Sequence, residues 1–524
     1  MKRRQQTSNA GGAPRKAGSG LSPVARTVLR GVAGVGLGVW LGIAADEEAP
    51  PAPPVPGTAA QSAAPEKPAW DEITVKGDTL KGRVLNRGEK EIIFRTIYGE
   101  GELRIPNDRV EKLKIAGQEQ PLPGHVTPPP PPPPPAEETI STASPEGVSA
   151  QIEETKEIQA AWIGEFHRLI GLRRCFQTQE WLDKKLGLRL GLAYTSLGLG
   201  AGDTLGGDRG SAGGDFDFFG RWHVWGRESG NAGTLGFNLR DRHAYTDAPP
   251  SQLGRRVGSL WPVTGGFSDA GFAVTQAYLD QYFLDRNLQF RVGEIFLDQH
   301  FDTYSYRSAK SFFLNSAFSD NPAVAFPDHG AGFATLVKPA PDWHFITGGG
   351  NTRRLKLEDG LRPLARGENL FSGMEIGWHP SRGKLKGHSL AVFGWYVPGD
   401  RDRALPDGDG IAVTYEWHPE KACGLFARYA FSGSAATAVR HLGTSGIVWT
   451  EPFGRPLDRL GVAFGWGTPA ATDHDGQGVV ELFYRWQFTP LWQISPDLQL
   501  LISPTYNPDQ SLILIFGVRA RLAL

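Results

Sequence analysis

The chain of 524 residues carries only two cysteines, Cys175 and Cys423. Two thiols so far apart form neither a disulfide framework nor a metal-ligand cluster. They read as two unrelated buried or interfacial thiols. Surplus charge is missing too, with 55 basic against 56 acidic residues. A nucleic-acid binder carries a basic surplus on one element, so that class is excluded. Beyond the N-terminus no run of roughly 18 apolar residues occurs, which excludes helical membrane spans but not spanning strands. Hydrolase signatures are also lacking. There is no G-x-S-x-G elbow, no H-E-x-x-H, and no marked carboxylate pair. The expectation is a protein that is not an enzyme and has no catalytic residue, metal or cofactor.

What is present divides along the chain. Residues 1–45 place Lys2, Arg3, Arg4, Arg15, Lys16, Arg26 and Arg30 ahead of the short apolar run GVAGVGLGVWLGIAA. That order reads as a secretory signal cleaved after Ala45. Residues 46–70 form a Pro/Ala-rich linker. Residues 71–116 read as a small β-domain, with strands ITV, TLKGRVL, EIIFRTI, ELRIP and VEKLKI between the turn signals KGD, RGEK and GEG. Residues 117–145 form a second linker, in which Pro128 to Pro135 predict a stiff polyproline rod of roughly 25 Å. Residues 146–183 read as helical, with Ile158, Trp162, Phe166 and Ile170 on one face.

In residues 184–524 the period changes to two. Leu186, Leu188, Leu190, Leu192 and Tyr194 alternate with glycine, arginine, alanine and threonine. Phe216, Phe218, Trp222 and Val224 alternate with Asp215, Asp217, Arg221 and His223. Similar alternation recurs at 411–417, 480–488 and 512–524. Successive strand side chains point to opposite faces, so each segment has one apolar and one polar face. Runs of about nine or more residues are long enough for a tilted strand to cross a bilayer. Tyr194, Trp417, Trp486 and Phe488 sit where an interfacial aromatic girdle is needed. About sixteen strands are expected, an even number, with short links such as 285–287 and 418–420 alternating with long ones at 246–271, 298–329, 352–369 and 398–408. The fold class is all-β: a transmembrane antiparallel barrel of about sixteen strands, with the small N-terminal β-domain on its proline-rich linker. A barrel of that size leaves an aqueous channel. The third of its long loops, 298–329, is expected to fold inward and narrow it.

If the apolar faces meet lipid, the opposite faces line the lumen. The expected pore-lining residues are Arg189, Asp217, Arg221, Arg240, Arg291, Glu375, Glu416, Arg428, Glu481, Arg485, Arg519 and Arg521. Asp298, Gln299, His300 and Asp302 open the third loop and are expected to border a constriction. Opposed rows of charge create a field that orders water and selects solutes. Sugar hydroxyls bridge such donors and acceptors; the arginine excess equally favours anions, and both readings stand. The bland reading of any one of these residues is a solvated wall position. Orientation is unreadable at 272–283 and 390–397.

Several stretches resemble the carbohydrate-selective porin (OprB-type) family over residues 165–524: VGEIFLDQHFD (292–302), SFFLNSAF (311–318), PDHGAGF (327–333), and ELFYRWQFTPLWQISPDLQLLISPTYNP (481–508) followed by LIFGVRARLAL (514–524). The resemblance implies a sixteen-stranded outer-membrane porin for facilitated diffusion of sugars and small polar solutes, and a homotrimer. Two departures stand out: the last residue is Leu524 where the family has Phe, and the N-terminal additions. Residues 71–116 weakly resemble small SH3-like or Sm-like envelope barrels. The resemblance implies a periplasmic location for them and a cell-wall or periplasmic partner, which makes an envelope tether a third reading.

Overall fold

The computed structural model describes residues 70–75, 78–88, 91–96, 102–115, 118–120, 144–154, 173–353, 357–367, 369–400, 406–419, 423–489 and 491–524. The signal sequence, nearly all of both linkers, and Ile158, Trp162, Phe166 and Ile170 lie outside them. The chain divides into two units, residues 1–127 and 128–524.

In the first unit, strands β1 (Asp71–Val75), β2 (Asp78–Arg87), β3 (Glu91–Thr96), β4 (Glu102–Pro106), β5 (Val110–Ile115) and β6 (Gln118–Glu119) form one sheet ordered β4-β3-β2-β1-β5-β6. Alternate residues fill its core: Ile73, Ile92, Phe94, Ile105, Val110 and Leu113. The sixth strand carries the sheet past the expected edge at residue 116.

The second unit opens with helices α1 (Val148–Glu154) and α2 (Arg173–Leu186). The α2 helix runs to Leu186, so strand alternation starts two residues later than the sequence suggests. Gly187 at φ +68° donates its N–H to the Asp183 carbonyl, a left-handed cap that ends the helix. Sixteen antiparallel strands follow: β7 (Leu188–Ala201), β8 (Gly210–Trp225), β9 (Gly233–Ala244), β10 (Gly271–Phe283), β11 (Leu288–Ile295), β12 (Gly330–Ala340), β13 (Trp343–Asn351), β14 (Leu370–Trp378), β15 (His388–Val397), β16 (Gly408–Trp417), β17 (Cys423–Ser432), β18 (Val439–Thr450), β19 (Arg459–Pro469), β20 (Gln477–Gln487), β21 (Trp492–Ile502) and β22 (Leu512–Ala523). Each pairs with its neighbours in sequence, and β22 pairs with β7 to close the barrel. Leu192 and Leu524 exchange both backbone hydrogen bonds at that seam, at 2.9 and 2.8 Å. Leu524 thus extends by one backbone pair a seam that runs from Ile515 to Ala523. Closure pairs the strand-edge polar groups internally, as lipid requires.

Burial separates the two faces. On β22, Leu512, Leu514, Phe516 and Val518 are exposed while Ile513, Ile515, Arg519 and Arg521 are buried. Trp417, Trp486 and Phe488 lie at the short-turn end of their strands. Tyr194, expected near a strand end, sits in the middle of β7, because β7 continues through the small residues Ser196, Gly198 and Gly200. Cys175 is exposed, not buried, and Cys423 is half-buried.

Candidate functional site: the barrel lumen

Two loops and one helix fill much of the barrel interior. The connection between β11 and β12 turns inward and carries its own apolar residues. Phe301, Phe313, Leu314, Ala317 and Phe318 are fully buried, in one cluster with inward-facing Phe393, Phe426, Phe483, Ile513 and Ile515. Phe313 meets Phe483 edge-on at 4.8 Å between ring centroids, and Phe301 stacks on Phe393 at 5.0 Å. The connection between β9 and β10 adds Leu253, Val257, Trp261, Val263 and Phe267 to the same cluster. Burying each such side chain stabilises by roughly 1.5–3 kcal/mol, so the inward fold is strongly favoured.

The charged wall residues hold this insert in place. Glu481 accepts from the backbone N–H groups of Leu314 and Asn315, at 2.5 and 2.9 Å. Glu375 accepts from the Asp302 N–H at 2.6 Å and Glu416 from the Ser305 N–H at 3.0 Å. Arg519 donates to the carbonyls of Ala309 and Phe312, both at 2.7 Å, and Arg485 to that of Ser311 at 3.5 Å. Arg428 pairs with Asp302 at 2.5 Å and lies over the Tyr304 ring. Asp217 is held between Arg240, at 2.6 Å, and Lys310 of the loop. Asn315 ties three parts together: its side chain accepts from Trp261 Nε1 at 2.8 Å and from the Ala317 N–H at 3.1 Å, and donates to Gln499 at 3.0 Å.

All twelve expected wall residues thus face inward, but most are covered. Asp217, Arg240, Glu375, Glu416, Arg428, Glu481, Arg485, Arg519 and Arg521 are buried, not open to water. Arg291 is clamped bidentately by Asp280, at 2.6 Å on both arms, and stacks over Tyr278 at 3.9 Å. The remaining two, Arg189 and Arg221, meet α1, as does the buried Arg521. Arg189 bonds Glu153 at 3.1 Å, Arg221 bonds Ser149 at 2.9 Å and Arg521 bonds Glu154 at 3.2 Å.

Of the four expected constriction residues, Asp302 is buried in the Arg428 network, where Asn321 and Thr414 also donate to it at 2.7 and 2.9 Å. The Gln299 carbonyl accepts from the Ser144 N–H at 3.4 Å. His300 Nε2 lies 3.4 Å from Arg291. Burial pushes the His300 imidazole well below its ordinary range, with Arg291 adding to the shift. Asp298 remains one-third exposed beside Arg307. Burial of one of its oxygens pushes its carboxyl up to about 7; Arg307 opposes this while Asp320, Glu146 and Asp328 reinforce it. A narrow recess lies between α1 and the wall, lined by Val148, Ser149, Tyr278, Arg291, His300 and Ile346 among others.

The sequence reading missed Lys310, Arg307, Asp280, Glu146 just ahead of α1, and the α1 residues Ser149, Glu153 and Glu154. One signal was available for the loop: four large apolar residues among eight at 311–318 are too many for a solvated connection.

The family model for carbohydrate-selective porins of the OprB family matches residues 225–418 and 412–524, more than half of the chain. Porin AaxA of Chlamydia abortus is 23% identical over 277 residues, which cover 50% of this chain and 60% of that porin. The high-pH structure of Pseudomonas putida OprB superimposes with a TM-score of 0.55 at 15% identity, covering 67% of this chain and 97% of that one. The low-pH structure of that porin overlaps at a TM-score of 0.41 and 15% identity, with the same coverage.

Proposed function

Because the chain belongs to the carbohydrate-selective porin family, we propose that it gives small neutral polar solutes, sugars first, a diffusive path across an outer membrane. The observation that carries this is the closed sixteen-stranded barrel with an inward loop pinned to a polar inner wall. Neutral solutes are favoured over anions because the inner arginines are already engaged. Arg240, Arg291, Arg428 and Arg521 each touch a carboxylate, and Arg519 touches two carbonyls. What remains accessible offers hydrogen bonds without a large net field, and binding stays weak enough to release the solute. Liposome swelling by glucose, with sugars tested as blockers of single-channel current, checks the reading. Swelling by charged solutes but not by sugars would overturn it.

The first unit is assigned to the periplasm as a small SH3-like module that meets a cell-wall or periplasmic partner. Deleting residues 46–145 should weaken envelope integrity while leaving solute uptake intact. We also assign a homotrimer, which light scattering of the detergent-solubilised protein tests.

A further inference from the structure

The α1 segment lies inside the lumen near its short-turn end. Its contacts come from one arc of adjoining strands and from the constriction loop. Arg189 of β7, Arg221 of β8, Gln493 of β21 and Arg521 of β22 reach it from one side. Tyr278, Gln289, Ala334, Leu336 and Ile346, on β10 to β13 further round the wall, line a recess beside it. Val148 and Ile152 are buried in the lumen cluster, and Glu146 accepts from Ser308 Oγ and the Ala309 N–H at 3.2 and 3.1 Å. The segment is therefore docked against the constriction loop as well as the wall.

Its charge is the opposite of the wall's. Arg189, Arg221, Arg485 and Arg521 converge at this mouth from four inner strand faces. Among the described residues, the carboxylates at this end outside the barrel strands include Asp458, held by Arg455 and Tyr484, Asp183, which pairs with Arg189 and Arg227, and the two glutamates of α1. Burial pushes the Glu154 carboxyl up, but Arg521 and Arg485 outweigh this and keep it below its ordinary range. The side chains of Glu153 and Glu154 remain 35% and 22% exposed, so they border water rather than a dry core. A charge beside a narrow aqueous path decides which ions enter it.

We propose that residues 144–154 form a charge-cancelling insert of the short-turn mouth, in which Glu153 and Glu154 set the ion selectivity of the pore and the helix sets its width. Without the insert the mouth is wider and arginine-lined, and its preference turns to anions. This rests on the pore reading above.

Three full-length proteins test it in planar bilayers with potassium chloride gradients: wild type, the Glu153→Gln/Glu154→Gln double variant, and a deletion of residues 144–154. The double variant should shift the reversal potential toward chloride. The deletion should show the same shift and raise conductance by roughly twofold or more, since a helix with its side chains is about 10 Å across. Glu180→Gln, on the exposed surface of α2, should change neither reading. If the deletion fails to assemble, the double variant decides alone. Wild-type reversal potential in the double variant overturns the inference while leaving the pore intact. A wild type that conducts no ions removes the pore reading itself and the inference with it.

Discussion

Replacing Glu481 with methionine should free the constriction loop without unfolding the barrel. The carboxylate is fully buried and accepts two backbone N–H groups, from Leu314 and Asn315. A buried donor left without its partner costs roughly 1–3 kcal/mol, so the pair anchors the loop by about 2–6 kcal/mol. Methionine has similar length and no acceptor of comparable strength, which leaves two buried donors unpaired. Relief from burying a carboxylate offsets part of the loss, yet an orphaned donor costs more than a well-paired charge. At about 1.4 kcal/mol per decade, the open population of the loop should rise by roughly tenfold or more.

Hydrogen exchange reads this directly, because the two affected amides are the reporters. Protection of the Leu314 and Asn315 amides should fall by about one decade or more, while amides within β20 keep theirs. Glu481→Gln, which retains one acceptor oxygen, should fall between. Single-channel records should show added flicker as the loop moves. Unchanged protection in the methionine variant would refute the claim that this carboxylate anchors the loop.

Three further outcomes follow from the same geometry. The Asp298 carboxyl, raised to about 7, is neutral below that pH and charged above it. Unfolded, it would ionise near pH 4, so the loop loses stability between about pH 4 and 7 as pH rises. Reversal potentials from pH 5 to 9 should drift toward cations around pH 7, a drift that Asp298→Asn abolishes. Phe313→Ala should cost about 3–5 kcal/mol of loop packing, because its ring is fully buried against Phe318, Phe426 and Phe483; broader conductance fluctuations with unchanged heat-modifiable gel migration would register it. Deleting Thr275 should block barrel assembly, seen as loss of that gel shift, because it removes the extra residue that switches the phase of β10.

The reach of sequence reasoning follows from which solvent each face meets. Lipid accepts only apolar side chains, so the outer face of β7, β8, β16, β20 and β22 was legible from alternation alone. The inner face meets whatever the chain folds against it. On β15 the inward Phe393 and Trp395 pack beneath the loop while Leu390 and Val392 face outward, so both faces are apolar and no period shows. On β10 Phe272 and Val274 point outward, the register shifts between Val274 and Gln276, and from Ala277 onward the opposite parity points outward. A one-residue bulge inverts every later side chain, and no residue type announces it. The inward charges were legible as inward. Their partners were not, because Glu481 finds Leu314 across 167 positions and Arg521 finds Glu154 across 367.

That division explains why the lumen holds buried ion pairs and not a file of hydrated charges. A sixteen-stranded wall encloses more space than its own side chains fill. Here the filling comes from loops that carry backbone donors and carbonyls, which need partners once water is excluded. A carboxylate such as Glu481 satisfies two N–H groups at once, and a guanidinium such as Arg519 satisfies two carbonyls. Both residue types are long enough to reach inward from the sheet. The charged inner face is therefore first a set of clamps for irregular backbone. On the proposal above, selectivity falls to carboxylates that stay partly wet, among them Asp298 beside the constriction and Glu153 and Glu154 at the short-turn mouth.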